Sequence, residues 1–286
     1  MLTFYRLLAW LPLSWLHFLG RRLGLLVYRL SPTYASRLRE NAALAGFTGE
    51  KFARASAASA GEGALEVPKC WFRPDESLSK VQAEGWDDVA AAIAEGKGIL
   101  FMTPHVGCFE IAARYYAHRG GPLTVLYRPP RKQWLSTLVE AGRKGPNLDT
   151  APANLQGVRR LVRALRKGDA IGILPDQVPG NGEGVWAPFF GRDAFSMVLP
   201  GRLATQTGAA VVLAAGERLK GGKGWRVHFV RLPGPVPEGT EAQAAWVNAA
   251  MERIIRRVPE QYLWGYNRYK TPRAAEAAEA AVVDGQ

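Results

Sequence analysis

Cysteine and long apolar runs are both scarce in this sequence of 286 residues. Its two cysteines, Cys70 and Cys108, form neither a disulfide framework nor a metal-ligand spacing, a pattern that fits a reducing compartment. No uninterrupted apolar run approaches the ~20 residues that a membrane-spanning helix requires. Zinc-finger spacings, RNP-type aromatic motifs and isolated basic arms are also missing. The sequence therefore predicts no metal site and no nucleic-acid partner.

Acidic residues are few relative to basic ones. Lysine and arginine number 37 against 25 aspartates and glutamates, which gives a formal net charge of +12. A surface this basic attracts polyanions, such as anionic lipid headgroups or an acidic carrier protein. An apolar fraction of 48% with 10% aromatics excludes global disorder and provides for a full hydrophobic core.

The N-terminal segment combines apolar and aromatic residues with arginines. An apolar stretch at 7–19 is interrupted by Pro12 and followed by two arginines, and a second apolar piece covers 23–28. Leucine, tryptophan and phenylalanine beside arginines are typical of a helix that lies in the headgroup region of an anionic membrane. No small-residue cleavage site follows the apolar run, so a signal peptide is not expected. We predict a membrane-associated segment at 1–30, with a helix buried against the domain as the alternative.

Strand-like apolar runs alternate with helical segments in the rest of the chain. Runs such as GILFMT and AIGILP are continuously apolar, as expected of strands buried on both faces of a sheet. The alternation predicts an α/β fold, a layered α/β/α domain with a mixed sheet and a site at the carboxyl ends of its strands. No internal repeat or linker interrupts it. We predict one domain over 31–273 and a flexible, Ala/Glu-rich tail at 274–286.

A histidine follows the first of these runs, in the segment TPHVGCFE. His105 falls where the strand ends, and Glu110 falls in the first turns of the next helix. Gly107 between them permits a tight approach, so that the carboxylate can meet the imidazole. Such a pair fixes the imidazole tautomer and stabilises the imidazolium, as a catalytic base requires. The alternatives are a capping histidine with a solvated Glu110, or a nucleophilic Cys108, for which a buried apolar role is commoner.

Further polar residues follow other predicted strands and are expected on the same edge as His105. Arg128 ends the strand PLTVLYR and Arg143 lies near the end of the next helix, where arginines suit phosphate groups. Asp176 and Gln177 follow AIGILP and precede a glycine-containing loop and the aromatic stretch VWAPFFG. This order predicts the border of a pocket for an apolar chain. The alternatives are solvated arginines and a capping role for Asp176.

The segment LQGVRRLVRALRKG at 155–168 predicts an amphipathic helix with a strongly basic face. The simplest interpretation is a helix packed on the core with its basic face in solvent. The alternative is a face that receives an acidic partner or lipid headgroups.

Taken in order, these segments resemble one family. HVGCFE resembles the His-x4-Asp/Glu motif of the glycerolipid acyltransferase superfamily. With YRPP, EAGR, ALRKGDAIGILPDQ, the stretch from GVWAPFFGR to GAAVV, and QYLWGYNRYKTP, it resembles the lipid A biosynthesis acyltransferases of the lauroyl/myristoyl type. The resemblance extends from the N-terminal apolar segment to about Pro272. A lone His-x4-Glu is a weak signal, whereas the ordered set is specific.

The resemblance implies an acyltransferase-like domain that moves a fatty acyl chain from acyl carrier protein to a hydroxyl of a lipid A precursor, at the cytoplasmic face of the inner membrane. It implies His105 as general base with Glu110 as its partner. The residues expected to bind substrate or shape the site are Arg128, Arg143, Asp176 and Gln177. We expect direct transfer without an acyl-enzyme, metal or cofactor. The expected partners are acyl carrier protein, an anionic lipid acceptor and the membrane surface.

Two stretches depart from the family pattern. The C-terminal LWGYNRYK lacks the His-Arg pair that many members carry near Tyr266 and Asn267, so no catalytic residue is expected there. The loop DQVPGNGEG lacks a second acidic residue present in some members, which leaves other acceptors open. The alternatives are therefore a lysophospholipid or aminolipid acyltransferase with the same dyad, or a non-catalytic membrane-binding protein.

Overall fold

A computed structural model gives the fold over residues 2–128, 130, 132–180 and 182–272, and of Gln133 it describes the backbone alone. The tail predicted at 274–286 lies outside these residues. The N-terminal part is helical, with α1 (Leu2–Leu8), α2 (Leu13–Leu30), α3 (Pro32–Leu44), α4 (Glu50–Phe72) and α5 (Pro74–Leu78). Ser31 caps α3 as its sequence predicts, because its hydroxyl accepts a hydrogen bond from the backbone N–H of Tyr34.

The strands follow these helices. Within the described residues they are β1 (Val81–Glu84), β2 (Ile99–Met102), β3 (Leu123–Tyr127), β4 (Leu148–Pro152), β5 (Ala170–Ile173), β6 (Gly184–Phe189), β7 (Arg192–Met197), β8 (Ala210–Arg218) and β9 (Trp225–Arg231). Seven form one sheet in the order β1–β9–β8–β2–β5–β3–β4, and β6 and β7 form a separate hairpin. The run from β8 to β4 is parallel, whereas β9 is antiparallel to β8. The predicted α/β fold with a mixed sheet is confirmed.

Helices cover both faces of this sheet. They are α6 (Trp86–Ala94), α7 (Phe109–Arg119), α8 (Gln133–Arg143), α9 (Leu155–Arg166), α10 (Leu199–Thr207) and α11 (Thr240–Ile255). Ile99 and Phe101 of β2 join a core shared with α6 and α7, while Leu100 and Met102 join the core shared with α9, α10 and α11. Because successive strand side chains point to opposite faces, a strand buried on both faces is apolar throughout.

The helix α2 packs closely on α4 through glycines. A Cβ atom at Gly20 would lie 2.5 Å from the carbonyl oxygen of Gly61, and one at Gly24 would lie 2.1 Å from that of Ala57. Side chains larger than hydrogen would therefore push the two backbones apart. The opposite face of α2 is apolar and exposed. In the described part of the chain, no helix has the length and apolar character needed to cross a membrane.

A buried network of charges joins these N-terminal helices to the sheet. Glu66 of α4 is fully buried, and its carboxylate accepts hydrogen bonds from Arg218 of β8 at 2.6 and 3.0 Å. His17 Nε2 and the indole of Trp225 also lie 2.9 Å from it. Burial by itself raises the pKa of Glu66. The charge of Arg218 and the hydrogen bond to His17 lower the pKa by more, so that it lies below its ordinary value.

Candidate active site

The carboxyl ends of two neighbouring parallel strands bring His105 and Asp176 together. Each residue lies three positions beyond its strand, His105 after β2 and Asp176 after β5. Arg128 directly follows β3, which is the next strand in the sheet. In parallel sheets this edge is where ligands bind. The sequence-based expectation that these residues share one edge is confirmed.

His105 forms two hydrogen bonds with the Asp176 carboxylate. Its ring Nδ1 lies 2.8 Å from Oδ1, and its backbone N–H donates to Oδ2 at 2.9 Å. The Asp176 side chain is 1% exposed and the His105 side chain 16%. Burial raises the pKa of Asp176, but the charge of His105 and its two hydrogen bonds outweigh this effect and leave the pKa below its ordinary value. Asp176 is therefore ionised at neutral pH.

This contact fixes the direction of the imidazole. With Nδ1–H donating to Asp176, the lone pair on Nε2 is left to accept a proton. Nε2 faces the side-chain amide of Gln177, whose nitrogen lies 3.3 Å away. His105 thus has the arrangement of a general base with an orienting carboxylate.

Glu110 occupies a different pair from the one that its spacing predicted. Two nitrogens of Arg143 donate to its carboxylate, with Nε 2.9 Å and Nη2 2.5 Å from Oε1. Between His105 and Glu110 the backbone is bonded to other segments: Gly107 N–H donates to the Gln261 carbonyl and Cys108 N–H to the Gly216 carbonyl before α7 begins. The partner of His105 is therefore Asp176.

A cavity of about 610 Å³ opens beside His105. Four of the six predicted site residues line it, namely His105, Arg128, Arg143 and Gln177. Its apolar wall comes mainly from β3, α9 and the start of α10. Asp176 lies buried behind the imidazole, and Glu110 lines a much smaller neighbouring cavity. The site thus combines a base, several cations and an apolar wall.

Two other cavity-lining arginines differ in their partners. Arg128 binds Glu183 at 3.1 Å, and the same carboxylate accepts from Gly180 N–H at 2.8 Å. Arg202 of α10 makes no ion pair among the described residues. No motif in the sequence pointed to Arg202, since an arginine within GRLATQTG resembles any surface residue of a helix.

Comparison with known proteins now gives the family. A sequence model described as "Bacterial lipid A biosynthesis acyltransferase" matches residues 1–271. The chain belongs to this family. It is 28% identical over 275 residues to the lipid A biosynthesis palmitoleoyltransferase of Escherichia coli K12, which covers 94% of this chain and 89% of that protein. It is 29% identical over 221 residues to the lauroyltransferase of the same strain, covering 74% and 70%.

Family membership makes the protein an acyltransferase of lipid A biosynthesis, with an acyl donor and a lipid A acceptor. A lipid A biosynthesis acyltransferase of Haemophilus influenzae is also similar, with 27% identity over 196 residues that cover 67% of this chain and 60% of that protein. The predicted resemblance is confirmed. The non-catalytic alternative is not supported.

The C-terminal segment packs against the loops that carry His105 and Gln177. The backbone N–H of Leu263 donates to the His105 carbonyl at 3.2 Å, and the Tyr266 hydroxyl accepts from Val178 N–H at 3.1 Å. Burial raises the pKa of Tyr262 well above its ordinary value, and the negative charge of Asp176 raises it further. The segment supports the histidine and the Asp-Gln loop. In the sequence this segment carried part of the family resemblance, through QYLWGYNRYKTP, but no catalytic residue was expected there.

Two minor expectations for this acyltransferase have different outcomes. The aromatic stretch at 185–190 was expected to border the pocket, but it packs against α11, where Asn248 donates to the Pro188 carbonyl at 2.8 Å. Cys108 is 1% exposed, and its Sγ lies 3.3 Å from that of Cys70. Burial raises the pKa of Cys108 well above its ordinary value. Its buried position agrees with the commoner, apolar role.

Proposed function

We propose that this protein transfers a fatty acyl chain from acyl carrier protein to a hydroxyl of a lipid A precursor, with His105 as general base. One observation carries the proposal: a buried carboxylate orients the imidazole, and Nε2, beside the Gln177 amide, faces a large cavity that contains several arginines. A base at the mouth of a partly apolar, cationic cavity suits an acceptor that is both phosphorylated and lipidic.

The transfer would proceed directly. His105 Nε2 takes the proton of the acceptor hydroxyl while the oxygen attacks the thioester carbonyl, which forms a tetrahedral oxyanion. Collapse of this intermediate forms the ester and breaks the carbon–sulfur bond, and the imidazolium returns its proton to the leaving thiolate. Asp176 stabilises the imidazolium between these two steps. The Gln177 amide, which lies beside Nε2, would turn to donate to the oxyanion.

Asp176 takes the role that the sequence predicted for Glu110. Glu110 would instead hold Arg143, which lines the cavity near the base. Two hydrogen bonds to one carboxylate fix the plane of the guanidinium, so that its free N–H group has a set direction. Glu110 is a positioning residue in this proposal, and Arg143 a substrate-binding one.

The remaining arginines would bind the anionic part of the acceptor. Arg202 has no competing carboxylate among the residues described, and Arg128 is held only by the exposed Glu183. A phosphate group could replace Glu183 on Arg128, because the existing ion pair is solvent-exposed and therefore weak.

The N-terminal helices would hold the enzyme at the cytoplasmic face of the inner membrane. Trp10, Trp15 and Phe18 are each more than half exposed, and Arg21 and Arg22 follow on α2. Aromatic and aliphatic side chains beside arginines bind the interface of anionic bilayers. Bound in this way, the enzyme would meet its lipidic acceptor at the bilayer surface.

The test is an assay with acyl carrier protein thioester and a lipid A precursor, in which wild type is compared with His105→Ala and His105→Gln. We expect both variants to lose about 10²- to 10⁴-fold in kcat. His105→Gln is the control for folding, because its amide can still donate to the buried Asp176. Far-ultraviolet circular dichroism and thermal unfolding would show that the variants are folded.

Product analysis separates the acceptors. Acylated lipid A precursor from wild type alone would support the proposal. Acylation of a lysophospholipid but not of the precursor would show that the enzyme uses the alternative acceptor class with the same mechanism. Wild-type turnover by the folded His105→Gln variant would remove His105 from the mechanism.

A further inference from the structure

The outer face of α9 carries a row of exposed side chains in a narrow sector. Leu155, Arg159, Arg163 and Arg166 are all exposed. At about 100° per residue they fall within an arc of about 80°, and the three arginines span about 10 Å along the helix. We call these four residues the α9 row.

The three arginines of the α9 row have no partner among the residues that the structure describes. Other basic residues of the same helix are engaged: Arg160 binds Asp149 and the carbonyl of Thr150, and Lys167 lies 3.5 Å from Asp169. The row is therefore a concentrated positive surface whose charges are not neutralised within the chain.

The α9 row begins at the mouth of the active-site cavity. Leu155 is 66% exposed, yet it also lines the cavity that His105 lines. Asn154 and Val158, from the same end of α9, line it too. A partner bound along the row would therefore lie directly beside the entrance to the base.

We propose that the α9 row docks the acidic carrier protein that delivers the acyl thioester; this inference rests on the proposed function. The arginines would pair with carboxylates of the carrier, and Leu155 would contact its apolar surface at the cavity mouth. The carrier's flexible prosthetic arm would then lead the thioester past Leu155 and Val158 to His105. The transfer itself needs no step beyond those already described.

The composition of the row favours a protein partner over a lipid surface. A helix that lies in a bilayer needs several apolar side chains directed toward the lipid. The surface of α1 and α2 meets this requirement, with Leu7, Trp10 and Trp15 among its exposed side chains. The α9 row has three arginines and a single large apolar residue. Charged rows of this kind act mainly on the association rate and on partner choice.

The test compares two donors that share the same thioester. One is acyl carrier protein charged with a fatty acyl chain, and the other is the corresponding acyl-pantetheine, which lacks the carrier. The variant is the triple substitution Arg159→Gln, Arg163→Gln and Arg166→Gln, since glutamine is also a good helix former. The matched control replaces by glutamine three other exposed arginines that form no ion pair within the described part of the chain, Arg54, Arg253 and Arg257.

We expect kcat/KM for the carrier-bound donor to fall about tenfold in the α9 variant, because KM rises while kcat is unchanged. The value for acyl-pantetheine should stay the same, and the control triple variant should resemble wild type with both donors. The difference in kcat/KM between wild type and the α9 variant with the carrier-bound donor should shrink as the salt concentration rises, because exposed charges are screened.

Several results would overturn the inference. Equal losses with both donors would show that the row supports the site rather than the carrier. Unchanged kinetics with both donors would remove the docking role, and lost binding to vesicles of anionic phospholipid with unchanged kinetics would assign the row to the membrane. Wild type that uses neither donor would overturn the proposed function itself, whereas wild type that uses both would leave it standing.

Discussion

His105 and His17 each pair with an almost fully buried carboxylate, with nearly the same geometry and different surroundings. His105 lies 2.8 Å from Asp176, and His17 lies 2.9 Å from Glu66. Both carboxylates are almost fully buried, and both have a pKa below the ordinary value. By distance and burial alone the two pairs are equivalent.

Their remaining contacts separate them. Glu66 also accepts bonds from Arg218 and Trp225, so its charge is neutralised inside the protein. Asp176 pairs directly with His105, and the far nitrogen of that ring, which lies 3.3 Å from the Gln177 amide, faces a cavity of about 610 Å³. In the proposed function the His105 pair is the reactive one because its second ring nitrogen faces the cavity, where an acceptor hydroxyl can reach it. The Glu66 pair serves the packing of α2 and α4 on the sheet.

The largest effect should come from removing the charge of the reactive pair. In Asp176→Asn we expect kcat to fall about 10²- to 10⁴-fold, because an amide cannot stabilise the imidazolium and can hold the wrong tautomer. Steady-state transfer kinetics measure the loss, and thermal unfolding checks that the variant is folded. A rate within a few fold of wild type would mean that the two pairs do not differ as described.

The same change at the other pair should affect stability instead. Glu66→Gln leaves the fully buried Arg218 without its main counter-charge, so we expect a loss of about 3 kcal/mol in the free energy of unfolding. Urea unfolding measures this loss. The control is Glu62→Gln, whose contact to Arg218 is longer, at 3.4 Å, and partly exposed. Folded Glu66→Gln enzyme should retain its kcat. A loss of kcat in folded protein would contradict the distinction between a catalytic His105 pair and a structural His17 pair.

The stability difference should also depend on pH. The folded-state pKa of Glu66 is lower than 4.5, so its stabilising effect is fully present above that value and is lost as pH falls through the folded pKa. The wild type and Glu66→Gln should therefore approach each other in stability below about pH 4.5. Urea midpoints measured across acidic pH test this convergence.

The sequence predicted the edge of the sheet on which the reactive pair lies, but not the pair itself. Continuous apolar runs identify buried strands, and polar residues after such runs fall at their carboxyl ends, which placed His105, Asp176 and Arg128 correctly. The partner was predicted by proximity in sequence, which favoured Glu110. It is set instead by the adjacency of β2 and β5, and strand order is not encoded in any local pattern.

The Glu66 pair could not be predicted for a related reason. Its members lie 49 residues apart in two helices whose contact depends on Gly20 and Gly61, and no periodicity joins them. The apolar pattern of α2 did predict an amphipathic helix near a surface. It did not predict that His17, on the buried side of that helix, would bind the carboxylate of Glu66.

The ion pair of Glu110 with Arg143 should have a smaller effect on catalysis than the His105 pair. In Glu110→Gln we expect kcat/KM to fall about tenfold, because a neutral amide holds the guanidinium less firmly and loses one charge-assisted bond. The base pair of His105 and Asp176 stays intact, so the pH dependence of kcat should keep its shape. The kinetic constants of both variants, measured together, should rank Asp176→Asn well below Glu110→Gln. The reverse order would make Glu110 the partner of His105 during turnover.

The smallest effect should come from Cys108. It follows His105 by three residues, but its side chain is buried away from the cavity. Burial, the contact to Cys70 and the nearby charge of Glu66 all raise the pKa of its thiol, so the thiolate that nucleophilic catalysis needs is disfavoured. In Cys108→Ala we expect kcat to change less than about twofold and stability to fall by about 1 kcal/mol. Intact-protein mass spectrometry after incubation with the donor alone should show no acyl group on wild type. An acylated Cys108, or a folded Cys108→Ala protein without activity, would replace direct transfer by a covalent mechanism and move the reactive centre away from the His105 pair.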